Sequence, residues 1–176
     1  DAALNASETD TAADLAVTYA DTVKPTVSNF TSTTLDGGYK LDDEINITAT
    51  MSEAVLGGSQ LTVTLDSGGT ALLTAAANGT TLTGTYTVGA SNSSTDLNVS
   101  SYVITTAVSD LYGNTLSDTT LPASNLSNNK AITVDTTGPT NTISGVAYSS
   151  TAKTMTLAGA GFNTIDAVGT DVKSYL

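Results

Sequence analysis

Every side chain here that could do chemistry offers either a hard oxygen or a lysine amine. The 176 residues include 17 acids and five lysines (Lys24, Lys40, Lys130, Lys153 and Lys173), with no arginine, histidine or cysteine and a formal charge of -12. A serine hydroxyl therefore lacks its usual imidazole base, and no thiol nucleophile exists. No GxSxG turn, phosphate-cradling glycine loop or nucleotide fingerprint appears. Paired carboxylates can hydrolyse glycosides, but the chain has no tryptophan to build a sugar platform. An enzyme is not expected. Oxygen ligands without His or Cys select Ca²⁺ over transition metals, and Ca²⁺ collects 6–8 oxygens from carboxylates and carbonyls brought together by loops. The candidates are acids at the ends of strand-like runs. Asp21 and Asp135 sit in the joins between segments, Asp43 opens the run at Ile45, Glu53 follows that run, and Asp110 starts a turn. None forms a 12-residue EF-hand loop, and the same acids also suit turns, where Asp bonds its own backbone.

The elements that would position these acids are short and β-like. Thr, Val and Ile favour a half-buried pleated surface, and helix formers are scarce beyond the first fifteen residues. Strand-like runs occur at Val27–Ser32, Ile45–Met51, Leu61–Leu65, Ala71–Ala75, Leu82–Val88, Leu97–Thr106 and Ala131–Val134. Apolar and polar residues alternate in those at Ile45, Leu61, Leu82 and Ala131, and Ala71–Ala75 is weaker. Turn signals separate them at Asp36-Gly37-Gly38, Gly68-Gly69, Asn78-Gly79 and the polar loop 91–95. About seven strands in roughly 110 residues read as an all-β, antiparallel immunoglobulin-like β-sandwich. The Cys…Trp…Cys signature of true immunoglobulin domains is missing, so only the architecture is inferred. Tyr39, Tyr86 and Tyr102 fall on core-facing phases, and Asn46, although a glycosylation triplet, lies mid-strand.

Organisation follows from a repeated phrase. Asp21-Thr-Val-Lys-Pro25-Thr26 returns as Asp135-Thr-Thr-Gly-Pro139-Thr140, each after an alternating run, Leu15–Tyr19 in the first case and Ala131–Val134 in the second. A repeated join marks tandem units. The expected division is a tail of a preceding module over 1–21, a sandwich over 22–135, and the start of a following, incomplete β module over 136–176. The last opens with a hairpin of Thr142–Tyr148 and Lys153–Leu157, then a turn at Gly159–Phe162.

The stretch GYKLDDEINITATMSEAV from Gly38 to Val55 resembles the motif of bacterial Ig-like repeats in large RTX-type surface adhesins. Asp110, Gly113 and Asn114 match that family's D-x-x-G-N turn, and Val134–Thr140 matches its V-D-T-x-x-P-T join. The segments at Tyr86–Ala90 and Ser93–Leu97 resemble the stretch lying between those two. Asp42 stands where the family usually has Gly, and Met51 where it usually has Phe. The resemblance implies a secreted or cell-surface extender repeat, rigidified by Ca²⁺ at or near the joins, with Asp21, Asp43, Glu53, Asp110 and Asp135 as ligands. Lys24 places a positive charge close to Asp21, which makes Asp135 the stronger of the two join acids.

The acidic balance argues against nucleic acid, because no basic surface is available to neutralise phosphate. No run approaches the ~20 apolar residues of a membrane-spanning helix. The expected partners are neighbouring modules of the same chain. Two further readings stay open: an adhesive module gripping a carbohydrate or protein on another cell, and a surface-layer or filament subunit completed by a neighbour.

Overall fold

The computed structural model describes residues 21–138 and 142–160. The expected run Leu15–Tyr19 and the segment before it lie outside the described residues, as do Gly161 and Phe162; Gly159 and Ala160, expected to open a turn, instead continue a strand. The chain divides into two compact units, 1–136 and 137–176.

The first unit is an all-β, sandwich-like fold. Its larger sheet contains β1 (Val27–Thr31), β3 (Glu44–Val55), β4 (Gln60–Leu65), β5 (Thr70–Thr74), β6 (Gly79–Thr87) and β8 (Val99–Thr106). Their order across the sheet is β1-β3-β6-β5-β4-β8, and every pairing is antiparallel. A smaller sheet orders β2 (Gly37–Tyr39), β9 (Ile132–Asp135) and β7 (Ser93–Ser94) as β2-β9-β7. Alternation sets which side chains enter the core. Ile45, Ile47, Ala49 and Met51 of β3 are buried, as are Leu61, Val63 and Leu65 of β4 and Leu82 and Tyr86 of β6. Ile132 and Val134 of the smaller sheet belong to the same core cluster. Phe30 and Tyr102 meet edge to face there, with ring centroids 5.7 Å apart. Gly84 is required by a close approach, since a Cβ at that position would lie 2.1 Å from the Leu72 carbonyl oxygen.

Several local features differ from the sequence expectation, among them β7, which falls inside the expected polar loop 91–95 and pairs with β9. The segment 36–38, expected as a turn, runs into β2, which pairs in parallel with β9 through Gly37↔Ile132 and Tyr39↔Val134. Its partner lies far along the chain, so no local pattern marks it. A one-turn helix, α1 (Leu126–Asn129), interrupts the polar loop before β9 and is closed by a capping box in which Asn125 and Asn128 each take the other's backbone N–H. Strand β3 also continues past Met51 to Val55, carrying Glu53 within the strand.

The second unit contains a hairpin of β10 (Thr142–Ser149) and β11 (Thr154–Ala160), with Tyr148 opposite Met155. The side chains of Ile143, Val146, Tyr148 and Met155 are exposed.

Candidate metal centre

Three of the five candidate acids meet. One carboxylate oxygen from each of Asp21, Glu53 and Asp110 lies within 4.8 Å of the other two. Three separate pieces of chain supply them: the join, the far end of β3, and the turn after β8.

The turn is built around Asp110. Its Oδ1 accepts the backbone N–H groups of Tyr112 and Asn114, both at 2.8 Å, and its Oδ2 accepts the Asn114 side-chain amide at 2.7 Å. Gly113 has φ 93, a left-handed conformation in which a Cβ is strained. The spacing of Asp110, Gly113 and Asn114 thus has a backbone reason. Val55 bridges Asp110, and Leu56 N–H donates to the Ser109 carbonyl at 2.8 Å, which holds the turn against the end of β3. Asn114 also donates to the main-chain carbonyl of Asp21 at 3.1 Å, so the same amide anchors the join.

Asp110 and Glu53 are shifted in opposite directions. Asp110 is 1% exposed. Burial pushes its carboxyl up, but the hydrogen bonds from the Asn114 side chain and from the backbone of Asn114, Tyr112 and Gly113 outweigh this and hold it below its ordinary value. Glu53 is raised, first by burial and then by repulsion from Asp21 and Asp110. Its Oε1 is buried without a hydrogen-bond partner. A carboxylate that meets two further acids and keeps one buried oxygen without a partner lacks what a cation would supply. The donor set consists of carboxylates and neighbouring carbonyls, which fits a hard ion such as Ca²⁺.

The other two candidates lie at the opposite end of the sandwich. Asp43 immediately precedes β3, and Glu53 lies ten positions further along the chain, roughly 30 Å at strand rise. It faces Lys40: Oδ2 accepts the Lys40 N–H at 2.9 Å and Oδ1 lies 3.5 Å from the ammonium. The Lys40 backbone bond, together with that nearby charge, lowers the Asp43 carboxyl despite some opposing desolvation. Asp43 and Asp135 line one open concavity of about 440 Å³ with Gly38, Tyr39, Lys40 and Thr133. The two join acids therefore serve different ends, and Asp21, ranked below Asp135 on account of Lys24, is the one beside Glu53 and Asp110. The Lys24 ammonium is 3.3 Å from Ser117 Oγ.

Sequence reasoning missed Asn114 as the residue linking join to turn, although its place in the D-x-x-G-N pattern was the available signal. Asp42 and Met51 each have a local structural setting. Asp42 adopts φ 68, the left-handed region that Gly would enter freely and Asp tolerates better than most residues. Met51 is 3% exposed and packs in the core. Comparison of the chain with protein-family models, curated proteins and solved structures finds no match.

Proposed function

We propose that this chain is a structural extender repeat of a secreted or cell-surface protein, stiffened by Ca²⁺ held between Asp21 of the join and Glu53 and Asp110 of the sandwich. The observation that carries the reading is the meeting of a join acid with two sandwich acids, one of which has a buried oxygen without a partner. Without a cation the three carboxylates repel one another, and the join is held at this point by the Asn114 amide. A divalent ion would bridge join and sandwich and fix the angle at which the preceding segment leaves. Asp21 would supply the ligand from the join, Glu53 the desolvated carboxylate, and Asp110 a carboxylate already aimed by its turn. The ion's chemistry would be charge neutralisation and cross-linking, with no reaction.

The test is thermal unfolding and small-angle scattering of the chain in Ca²⁺ and in EGTA. A higher melting temperature and a longer, narrower scattering profile in Ca²⁺ support the reading. Identical behaviour in the two buffers removes the metal from it.

A second reading, an adhesive module for a carbohydrate or protein, draws on the concavity shared by Tyr39, Lys40, Asp43 and Asp135. A glycan array probed with this chain separates the two, since a spacer binds nothing on it.

A further inference from the structure

The two edges of the six-stranded sheet are treated differently. Along β1, Phe30 N–H donates to the Ser124 carbonyl at 3.2 Å, Asn29 bridges Ser124, and the Asn129 amide donates to the Phe30 carbonyl at 2.8 Å. That edge is capped by the segment around α1. At the other edge, β8 pairs among the described residues only with β4, and the Asn125 amide takes the carbonyl of its first residue, Val99. From 100 to 106 no backbone hydrogen bond reaches any described residue outside β4. An open strand edge is a template for another strand, and proteins usually blunt it with lysine, proline or a covering loop. The sequence of β8, VSSYVITT, contains neither lysine nor proline.

Charge is distributed to match. In a chain of formal charge -12, the four adjacent strands β6, β5, β4 and β8 contain no Asp, Glu, Lys or Arg. Their solvent face carries threonine and serine hydroxyls together with Leu72, 46% exposed, and Val103, 60% exposed, both opposite Thr62. Asp118, whose main-chain carbonyl takes the Tyr102 hydroxyl, turns its carboxylate back onto Thr120. A second copy of this chain would be repelled by the acids at the ends of the sandwich but, among the described residues, would meet none within β8.

We propose that β8 pairs antiparallel with β8 of a second copy, joining two six-stranded sheets edge to edge about a two-fold axis. The pleat selects the register. Tyr102 faces the core and Val103 faces solvent, so keeping both cores on the same side of the joined sheet requires solvent-facing residues to oppose one another. With the axis at Val103, Val103 opposes its own mate and Ser101 opposes Thr105, an uncharged and closely packable row. Such an isologous contact closes on itself as a dimer. The inference is independent of the metal reading, because β8 contributes none of the three acids.

Sedimentation velocity in EGTA over a concentration series tests it. The chain should show a monomer–dimer equilibrium that tightens as salt screens the remaining acids. Val103→Lys and Val103→Glu each place like charges opposite one another at the axis and should weaken the dimer at least about tenfold, with unchanged far-UV circular dichroism because the site is exposed. Mixing the two variants should restore association through a Lys–Glu pair. A wild-type chain monomeric at millimolar concentration and high salt overturns the proposal. So do Val103→Lys and Val103→Glu variants that dimerise as the wild type does.

Discussion

The side-chain amide of Asn114 donates to the main-chain carbonyl of Asp21 at 3.1 Å, across 93 residues of sequence. The same amide holds Asp110 Oδ2 at 2.7 Å. One side chain therefore sets the distance between the join and the turn, and with it the geometry of the acidic triad. Replacing Asn114 with Ala should leave all three carboxylates present but unaligned. Loss of an outer hydrogen-bonding partner of this kind lowers metal affinity by roughly 10–100-fold. Isothermal titration with Ca²⁺ measures it, and unchanged affinity would show that the Asn114 bonds do not position the ligands.

Glu53 yields a pH signature. Burial, then repulsion from Asp21 and Asp110, raises its carboxyl in the folded chain. A raised folded value means the native state holds the proton more tightly, so this contribution to stability is present in acid and is lost as pH rises through the raised value. Asp110 runs the other way: its lowered value contributes stability at neutral pH that is lost as pH falls. In EGTA, Glu53→Gln should therefore melt a few degrees higher than wild type at neutral pH, with the gap closing in acid. In Ca²⁺ the order should reverse, because wild type gains about 2.7 kcal/mol at a hundredfold excess over Kd and the Gln variant does not. Melting curves of both proteins across pH, with and without the ion, decide between this pattern and a passive surface acid.

At Asp42 the backbone is in the left-handed region, φ 68. Asp42→Gly should be neutral or stabilise by up to about 1 kcal/mol, whereas Asp42→Val should cost about 1–2 kcal/mol because a β-branched side chain crowds the carbonyl there. Urea titration of the two variants measures both. A stabilised Val variant would mean that the turn does not hold this conformation.

Gly84 faces a harder limit. A Cβ at that position meets the Leu72 carbonyl oxygen at 2.1 Å and a Leu73 methyl at 2.9 Å. Main chain cannot move aside cheaply, so Gly84→Ala should force β5 and β6 apart and cost about 1–3 kcal/mol or more. A variant that unfolds at the wild-type urea midpoint would refute the close approach.

Most of the fold was legible locally. The alternation through Ile45–Met51 and Leu61–Leu65 reappears as buried residues of β3 and β4, because a strand with one wet face must alternate. The parallel pairing of Gly37–Tyr39 with Ile132–Val134 was not legible, since a three-residue strand too short to show alternation is stabilised wholly by a remote partner. Asn114 was visible as part of a turn but not as an anchor for Asp21, for the same reason.

By itself, the sequence determined the class of structure and the range of chemistry. Thr- and Val-rich alternation demands pleated sheet, and a chain without His or Cys can offer a metal only hard oxygens. It also named five acids at strand ends without separating them. Only the tertiary structure divided that set, placing Asp21, Glu53 and Asp110 at one end and Asp43 and Asp135 at the other. The physical reason is that strand-end residues are sorted by strand direction and by which loops fold against them. Burial and hydrogen bonding, which leave Glu53 Oε1 without a partner while satisfying Asp110, arise only when those distant segments pack.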